Sequence, residues 1–126
     1  MLKVIEDRIY LIRGDDEALK VNVTNDAGEA VILGETETLT LTVREQPSRE
    51  SSVIFASTSA PGSNRIVINH ADTADTEYGE YSADVQLLTA EGRRKTVWPV
   101  FGEDNIPRAN DKNWKNFIIL PEVTME

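Results

Sequence analysis

Cysteine is absent from this sequence, and histidine occurs once among its 126 residues. Without cysteine the chain can form neither a disulfide framework nor a cysteine-ligated zinc site. With one histidine and no ordered pattern of carboxylates, it also has too few groups to build an activated nucleophile or a transition-metal site. We therefore expect no enzymatic activity, no catalytic residues, no metal and no other cofactor.

Long apolar runs and an excess of positive charge are missing as well. The longest apolar run covers only a few residues, whereas a membrane-spanning helix needs about 20. The chain has 22 acidic and 13 basic residues and a formal net charge of −9, which repels nucleic acid and anionic membranes. The N-terminus has early acidic residues and no small-residue cleavage site, unlike a signal peptide. We expect synthesis in the cytoplasm and neither a nucleic-acid nor a membrane partner.

Apolar residues that alternate with polar ones are the main positive signal. Leu39, Leu41 and Val43 alternate with threonines, and this stretch is the clearest strand. Similar alternation between turn residues predicts further strands at residues 9–12, 19–23, 53–57, 65–69, 81–87, 95–98 and 117–120. Short strands at such regular spacing are typical of a β-sandwich. The length suits a single domain with an all-β fold.

The entry to the hairpin at residues 77–98 has a specific pattern. Glu77-x-Gly79-x-Tyr81-x-Ala83 resembles the acidic-x-Gly-x-Tyr-x-Cys corner of immunoglobulin-like sandwiches, with alanine in the cysteine place. The resemblance implies an immunoglobulin-like antiparallel β-sandwich of about seven to eight strands. It makes Gly79 and Tyr81 a structural corner, whose tyrosine hydroxyl bonds to backbone upstream, between residues 70 and 75. The predicted core-facing residues are Leu39, Leu41, Val43, Tyr81, Ala83, Val85 and Leu87.

Turn chemistry separates these strands. Residues 25–28 end in a glycine where positive φ is easiest, and Ala90-Glu91-Gly92 forms the tip of the hairpin. Residues 70–78 have room for one short helical turn, with Asp72 as its cap.

The end of the chain differs from the rest. We divide it into a sandwich at 1–101 and an extended loop with a closing strand at 102–126, packed on or extending from the same domain. Residues 102–115 are polar, and a loop of this length is usually functional or an interface arm. Four aromatic residues bracket the loop, and they serve either as interface anchors or as core residues that tie the tail to the sandwich. The predicted interface residues are Trp98, Phe101, Trp114 and Phe117.

The polar clusters have both a chemical and a structural interpretation. His70 lies near Asp72 and Asp75, but no nucleophile elbow completes a catalytic triad. Acidic residues at 15–17 and 72–77 could hold Ca²⁺, yet neither set fits the calcium-loop pattern. We prefer to interpret both acidic clusters as solvated turns.

Two further short motifs carry charge. Arg13-Gly14-Asp15 matches the tripeptide that integrins read, but a strand-to-strand turn with glycine at the bend is the preferred interpretation. Arg93, Arg94 and Lys95 form the one basic run, which either grips an acidic partner or keeps an edge strand soluble.

A succession of strand-and-turn segments covers most of the chain in order: residues 12–15, 19–23, 25–28, 39–44, 71–73, 79–87 and 119–124. Together these segments resemble the N-terminal domain of the baseplate upper proteins of siphophages. The resemblance implies an immunoglobulin-like sandwich that builds or decorates a phage tail tip, and it carries no catalytic residues.

On this basis we expect a structural or attachment subunit of a phage or prophage tail of the baseplate type. Its partners would be other virion tail proteins or copies of itself, and its location the virion tail, assembled in the bacterial cytoplasm. The alternative is a carbohydrate-binding β-sandwich module whose loop aromatics stack on sugar rings.

Overall fold

The computed structural model describes residues 2–5, 8–25, 27–48, 50–98 and 115–121. These residues form nine strands and one short helix, which confirms the all-β prediction. The elements are β1 (Leu2–Ile5), β2 (Arg8–Ile12), β3 (Glu17–Lys20), β4 (Thr38–Arg44), β5 (Val53–Thr58), β6 (Arg65–Ile68), α1 (His70–Thr73), β7 (Gly79–Leu88), β8 (Arg94–Trp98) and β9 (Phe117–Leu120). No described helix has the length and apolar character to cross a membrane.

The strands form a large sheet and a small one, in a sandwich-like arrangement. The order of the large sheet is β1-β2-β9-β7-β4-β5, with β8 also paired to β7, and β3 and β6 form the small sheet. Among the described strands every pair is antiparallel except β2 with β9, which run parallel. The antiparallel expectation therefore fails at this one pair. A parallel pair needs a long crossover, and nearly the whole chain lies between these two strands.

The core lies between the two sheets and follows the predicted alternation. Leu39, Leu41 and Val43 of β4 are fully buried, whereas the threonines between them are half-buried. Leu41 lies opposite Val85 of β7, so both strands turn the same face inward. Of the predicted core set, Tyr81 alone is only partly buried, and it packs against the rim of the core. The small sheet contributes Leu19, Ile66 and Ile68 to the same cluster.

Two elements at the N-terminal end differ from the prediction. β1 was not predicted because Lys3 and Val4 are both exposed, so this edge strand lacks a buried face that would show as alternation. β3 ends at Lys20 rather than at residue 23. The backbone N–H of Val21 donates to the carbonyl of Asn64 at 2.9 Å, after which the chain leaves the sheet.

The connections are fixed by local hydrogen bonds of the predicted kinds. The Asn25 side-chain oxygen accepts from two backbone N–H groups of its own turn, at 2.9 and 3.0 Å, and Gly28 has φ of 80°. Asp72 accepts from the Asn69 N–H at 2.9 Å in a capping box at the start of α1. The predicted turns are therefore present, but the prediction that Asp72 is the cap of α1 is wrong: Asn69 is the N-cap, and Asp72 is the third residue of the helix, from which it completes the capping box.

Candidate functional site

β8 and β9 occupy the same edge of β7 and run in the same direction. Trp98 at the end of β8 lies opposite Val85, and Phe117 at the start of β9 lies opposite Tyr81. The two strands therefore follow one another along a single edge of β7, a few positions apart, like one interrupted strand. In the sequence, residues 99–116 separate them.

Asn116 closes the ladder at this interruption. Its side-chain oxygen accepts from the Ala83 N–H at 2.8 Å, and its side-chain nitrogen donates to the Ala83 carbonyl at 3.0 Å. The amide thus reproduces the pair of hydrogen bonds that a facing strand residue would exchange. Asn116 is fully buried, and its own carbonyl accepts from the Ile9 N–H at 2.8 Å. Sequence reasoning missed this residue because one asparagine before a strand gives no distinctive signal.

The four predicted interface aromatics have different environments. Phe117 is fully buried and meets Phe55 edge to face, with ring centroids 5.8 Å apart. The prediction that it is an exposed interface anchor is therefore wrong, because the inward face of β9 places its ring in the core. Trp98 is half-buried and packs against the rim of the core. Phe101 and Trp114 lie outside the described residues.

A wide groove runs beside β8, and we call it the β8 groove. Its volume is about 740 Å³. One wall is the chain that follows β3, including Val21, Val23 and Val31, and the other is β8 with Val97 and Trp98. Within the described part of the chain, β8 pairs with β7 alone, so its other backbone edge has no strand partner.

The predicted corner is present, with a different partner. The Tyr81 hydroxyl donates to the Glu77 carbonyl at 2.6 Å. The predicted partner region at residues 70–75 is therefore wrong, because the hydroxyl bonds across the tight bend just before β7. Gly79 in this bend has φ of 148°, which disfavours other residues. Burial raises the pKa of the Tyr81 phenol, and the Glu77 and Glu45 carboxylates add to the effect.

His70 pairs with an acid far away in the sequence. Asp16 accepts from the His70 backbone N–H at 2.6 Å and lies 3.0 Å from its Nδ1 atom. These hydrogen bonds hold the pKa of Asp16 below its ordinary value. Asp72, the triad candidate, is instead used in the α1 cap. Among the described residues, no group of three or more histidine or acidic side chains is placed to hold a metal ion.

The Arg13-Gly14-Asp15 tripeptide is a tight turn between β2 and β3. The Asp15 N–H donates to the Ile12 carbonyl at 3.2 Å, and the Gly14 N–H donates to the buried Thr73 hydroxyl at 2.9 Å. The Arg13 guanidinium lies 4.3 Å from the centroid of the Tyr78 ring. The turn interpretation is therefore confirmed.

A second depression, which we call the outer-face groove, lies on the side of the large sheet away from the core. Its volume is about 220 Å³. Arg44 donates to the Ser51 carbonyl at 2.7 Å. Burial raises the pKa of Asp84, and the positive charge of Arg44 opposes this shift. The described lining residues are Thr42, Arg44, Gln46, Pro47, Ser48, Ser82, Ala83, Asp84 and Gln86.

Sequence reasoning treated the outer positions of β4 and β7 only as the solvent side of two strands. Their collection into a groove depends on the pairing register and on the loop after β4, and neither is visible in local periodicity.

In comparisons with known proteins, no family model, no curated protein and no solved structure matches the chain.

Proposed function

We propose that this chain is a structural or attachment subunit of a phage or prophage tail, of the baseplate type, that acts by protein–protein interaction through β8 and the β8 groove. The supporting observation is an edge strand with no strand partner in the described chain, set beside a large half-apolar groove. The tail assignment comes from the resemblance of the strand-and-turn segments.

The edge and the groove suit a protein partner. An edge strand presents N–H and C=O groups that can pair with a strand of another chain. Trp98 and Val97 are half-buried beside this edge, and a tryptophan in such a position is a frequent anchor of protein interfaces. Backbone pairing along β8 and apolar contact in the groove would therefore act together.

Charge indicates the kind of surface that would bind here. Arg93, Arg94 and Lys95 at the start of β8 are all exposed. Removing their three positive charges from the net charge of −9 leaves −12 on the rest of the chain. A second copy of this chain therefore offers an acidic surface to the basic end of β8, and such complementarity steers association. We take a second copy as the partner, and an acidic tail protein is the other outcome of the test.

The test is the mass in solution, measured by light scattering at tens of micromolar in low and in high salt. We expect a multiple of 14.1 kDa that dissociates as salt rises, because salt screens exposed charges. Lys95→Glu should give a monomer. Lys3→Glu, an equal charge change on the exposed part of β1, should leave the oligomer intact.

A 14.1 kDa monomer at every concentration would exclude self-assembly. Co-purification with the products of neighbouring tail genes would then be the remaining test, with Lys95→Glu as the variant that must lose the partner. Flanking genes for glycosidases in place of tail genes would contradict the tail assignment itself.

A further inference from the structure

We propose that the outer-face groove binds a neutral, hydroxyl-rich ligand, a sugar ring, through Thr42, Arg44, Ser82, Asp84 and Gln86. This site is on the opposite face of the large sheet from the core, and the inference does not depend on the proposed tail function. Its main support is a buried hydroxyl without a hydrogen-bond partner among the described residues, in a groove whose described lining residues are mostly polar.

The pairing of β4 with β7 brings these side chains together. Thr42 lies opposite Asp84, and Arg44 lies opposite Ser82. Because side chains alternate along a strand, these residues share the outer face. The loop at residues 46–48 forms a wall at one end of the groove. A volume of about 220 Å³ exceeds the needs of a single water molecule and suits one sugar ring.

Ser82 is the observation that indicates a ligand. Its side chain is buried, with 6% relative exposure, and within the described structure its Oγ atom has no hydrogen-bond partner. Buried hydroxyl groups are nearly always hydrogen-bonded, because leaving one unpaired costs free energy. The Oγ atom has almost no accessible surface, so a ligand hydroxyl in the outer-face groove would supply the missing partner after a small movement of the side chains around it.

The charges in the groove favour a neutral ligand. Asp84 and Arg44 carry opposite charges whose formal sum is zero, so neither an anion nor a cation gains from the groove as a whole. A carboxylate accepts hydrogen bonds, a guanidinium donates them, and the Gln86 amide does both. Adjacent hydroxyl groups on a sugar ring match this set, since each can donate to one side chain and accept from another.

The environment of the two charged residues strengthens such contacts. Burial removes part of the hydration of the Asp84 carboxylate and so raises its pKa. The hydrogen bond from Arg44 to the Ser51 carbonyl helps to orient the guanidinium. The described lining residues include no aromatic ring and so offer no stacking surface. From their hydrogen bonds alone we expect a dissociation constant of about 1 mM.

The experiment is a titration of the whole ¹⁵N-labelled chain with glucose, galactose, mannose and N-acetylglucosamine, followed by amide chemical shifts. At least one sugar should produce saturable shifts at residues 82–86 and 42–44. Ser82→Ala and Asp84→Asn should each weaken binding about fivefold or more. Thr38→Val is the control, because Thr38 lies on the outer face of β4 but outside the groove lining. This change should leave binding unchanged.

Each other outcome overturns the proposal. Absence of saturable shifts with all four sugars would mean that the groove binds none of them and that the partner of the Ser82 hydroxyl is a water molecule. Equal affinity in Ser82→Ala would remove the groove as the site. A parallel titration with inorganic phosphate should give no saturable shift at these residues, and saturation there would replace the neutral ligand by an anion.

Discussion

Two buried polar side chains, Asn116 and Ser82, differ in whether their hydrogen-bonding groups have partners in the described chain. Asn116 makes two hydrogen bonds to the backbone of Ala83. Ser82, the neighbour of Ala83 in β7, has a hydroxyl without a partner in the described chain. The first residue completes the ladder, and the second leaves a polar group available to a ligand.

Asn116→Ala should destabilise the protein by about 2–4 kcal/mol, because it leaves the buried N–H and C=O of Ala83 without partners. Urea unfolding followed by tryptophan fluorescence measures the change. The control is Asn22→Ala at an exposed position, which should change the free energy of unfolding by no more than about 0.5 kcal/mol. Equal stability of the two variants would mean that Asn116 does not hold β9 against β7.

At the scale of elements, β7 is the strand on which the large sheet depends. It has ten residues and pairs with β4 along one edge, and with β9 and then β8 along the other. The corner at Gly79 and Tyr81 fixes where this strand begins. We therefore expect changes at the corner to act on β7 and β9 together.

Tyr81→Phe removes the hydroxyl that donates to the Glu77 carbonyl and keeps the ring. The loss should be about 0.5–1.5 kcal/mol, since the bond is near the surface and water can replace part of it. Thermal unfolding measures it. Tyr78→Phe makes the same chemical change in the same bend, at a residue whose ring contacts Arg13, and should leave the melting temperature unchanged. If Tyr81→Phe unfolds at the same temperature as the parent protein, the hydrogen bond from Tyr81 to Glu77 does not stabilise the corner.

Local patterns in the sequence predicted the elements well. The alternation of Leu39, Leu41 and Val43 predicted the clearest strand, and these three residues lie in β4 with their side chains buried. The period of two, the glycine turns and the capping aspartate each depend on neighbouring residues, so one sequence contains the necessary information. Core residues on β4 and β7 followed from the same alternation.

Features that depend on residues distant in sequence were missed. The parallel pairing of β2 with β9, the role of Asn116 and the outer-face groove each join segments far apart in the chain. Their physical cause is register between strands, and register leaves little trace in any single segment. Phe117 was assigned to an interface for the same reason, because its burial depends on Phe55 and on the sheet that surrounds it.

At the scale of the whole molecule, the chain is a sandwich-like domain with two distinct surfaces on one large sheet. The β8 edge with its groove combines a backbone edge that has no strand partner in the described chain, a half-buried tryptophan and a basic run. The outer-face groove is smaller, and most of its described lining residues have polar side chains. The proposed assembly role depends on the first surface, and the proposed sugar site on the second, so one can fail without the other.

The most direct test of the assembly role is amide hydrogen exchange, measured residue by residue at low and at high micromolar protein concentration. Amides of β8 should exchange more slowly at the high concentration, while those of β1, an edge strand with exposed Lys3 and Val4, should not change. The protection should disappear in Lys95→Glu. Exchange of β8 that is independent of concentration, in a sample that light scattering shows to be oligomeric, would contradict β8 as the interface.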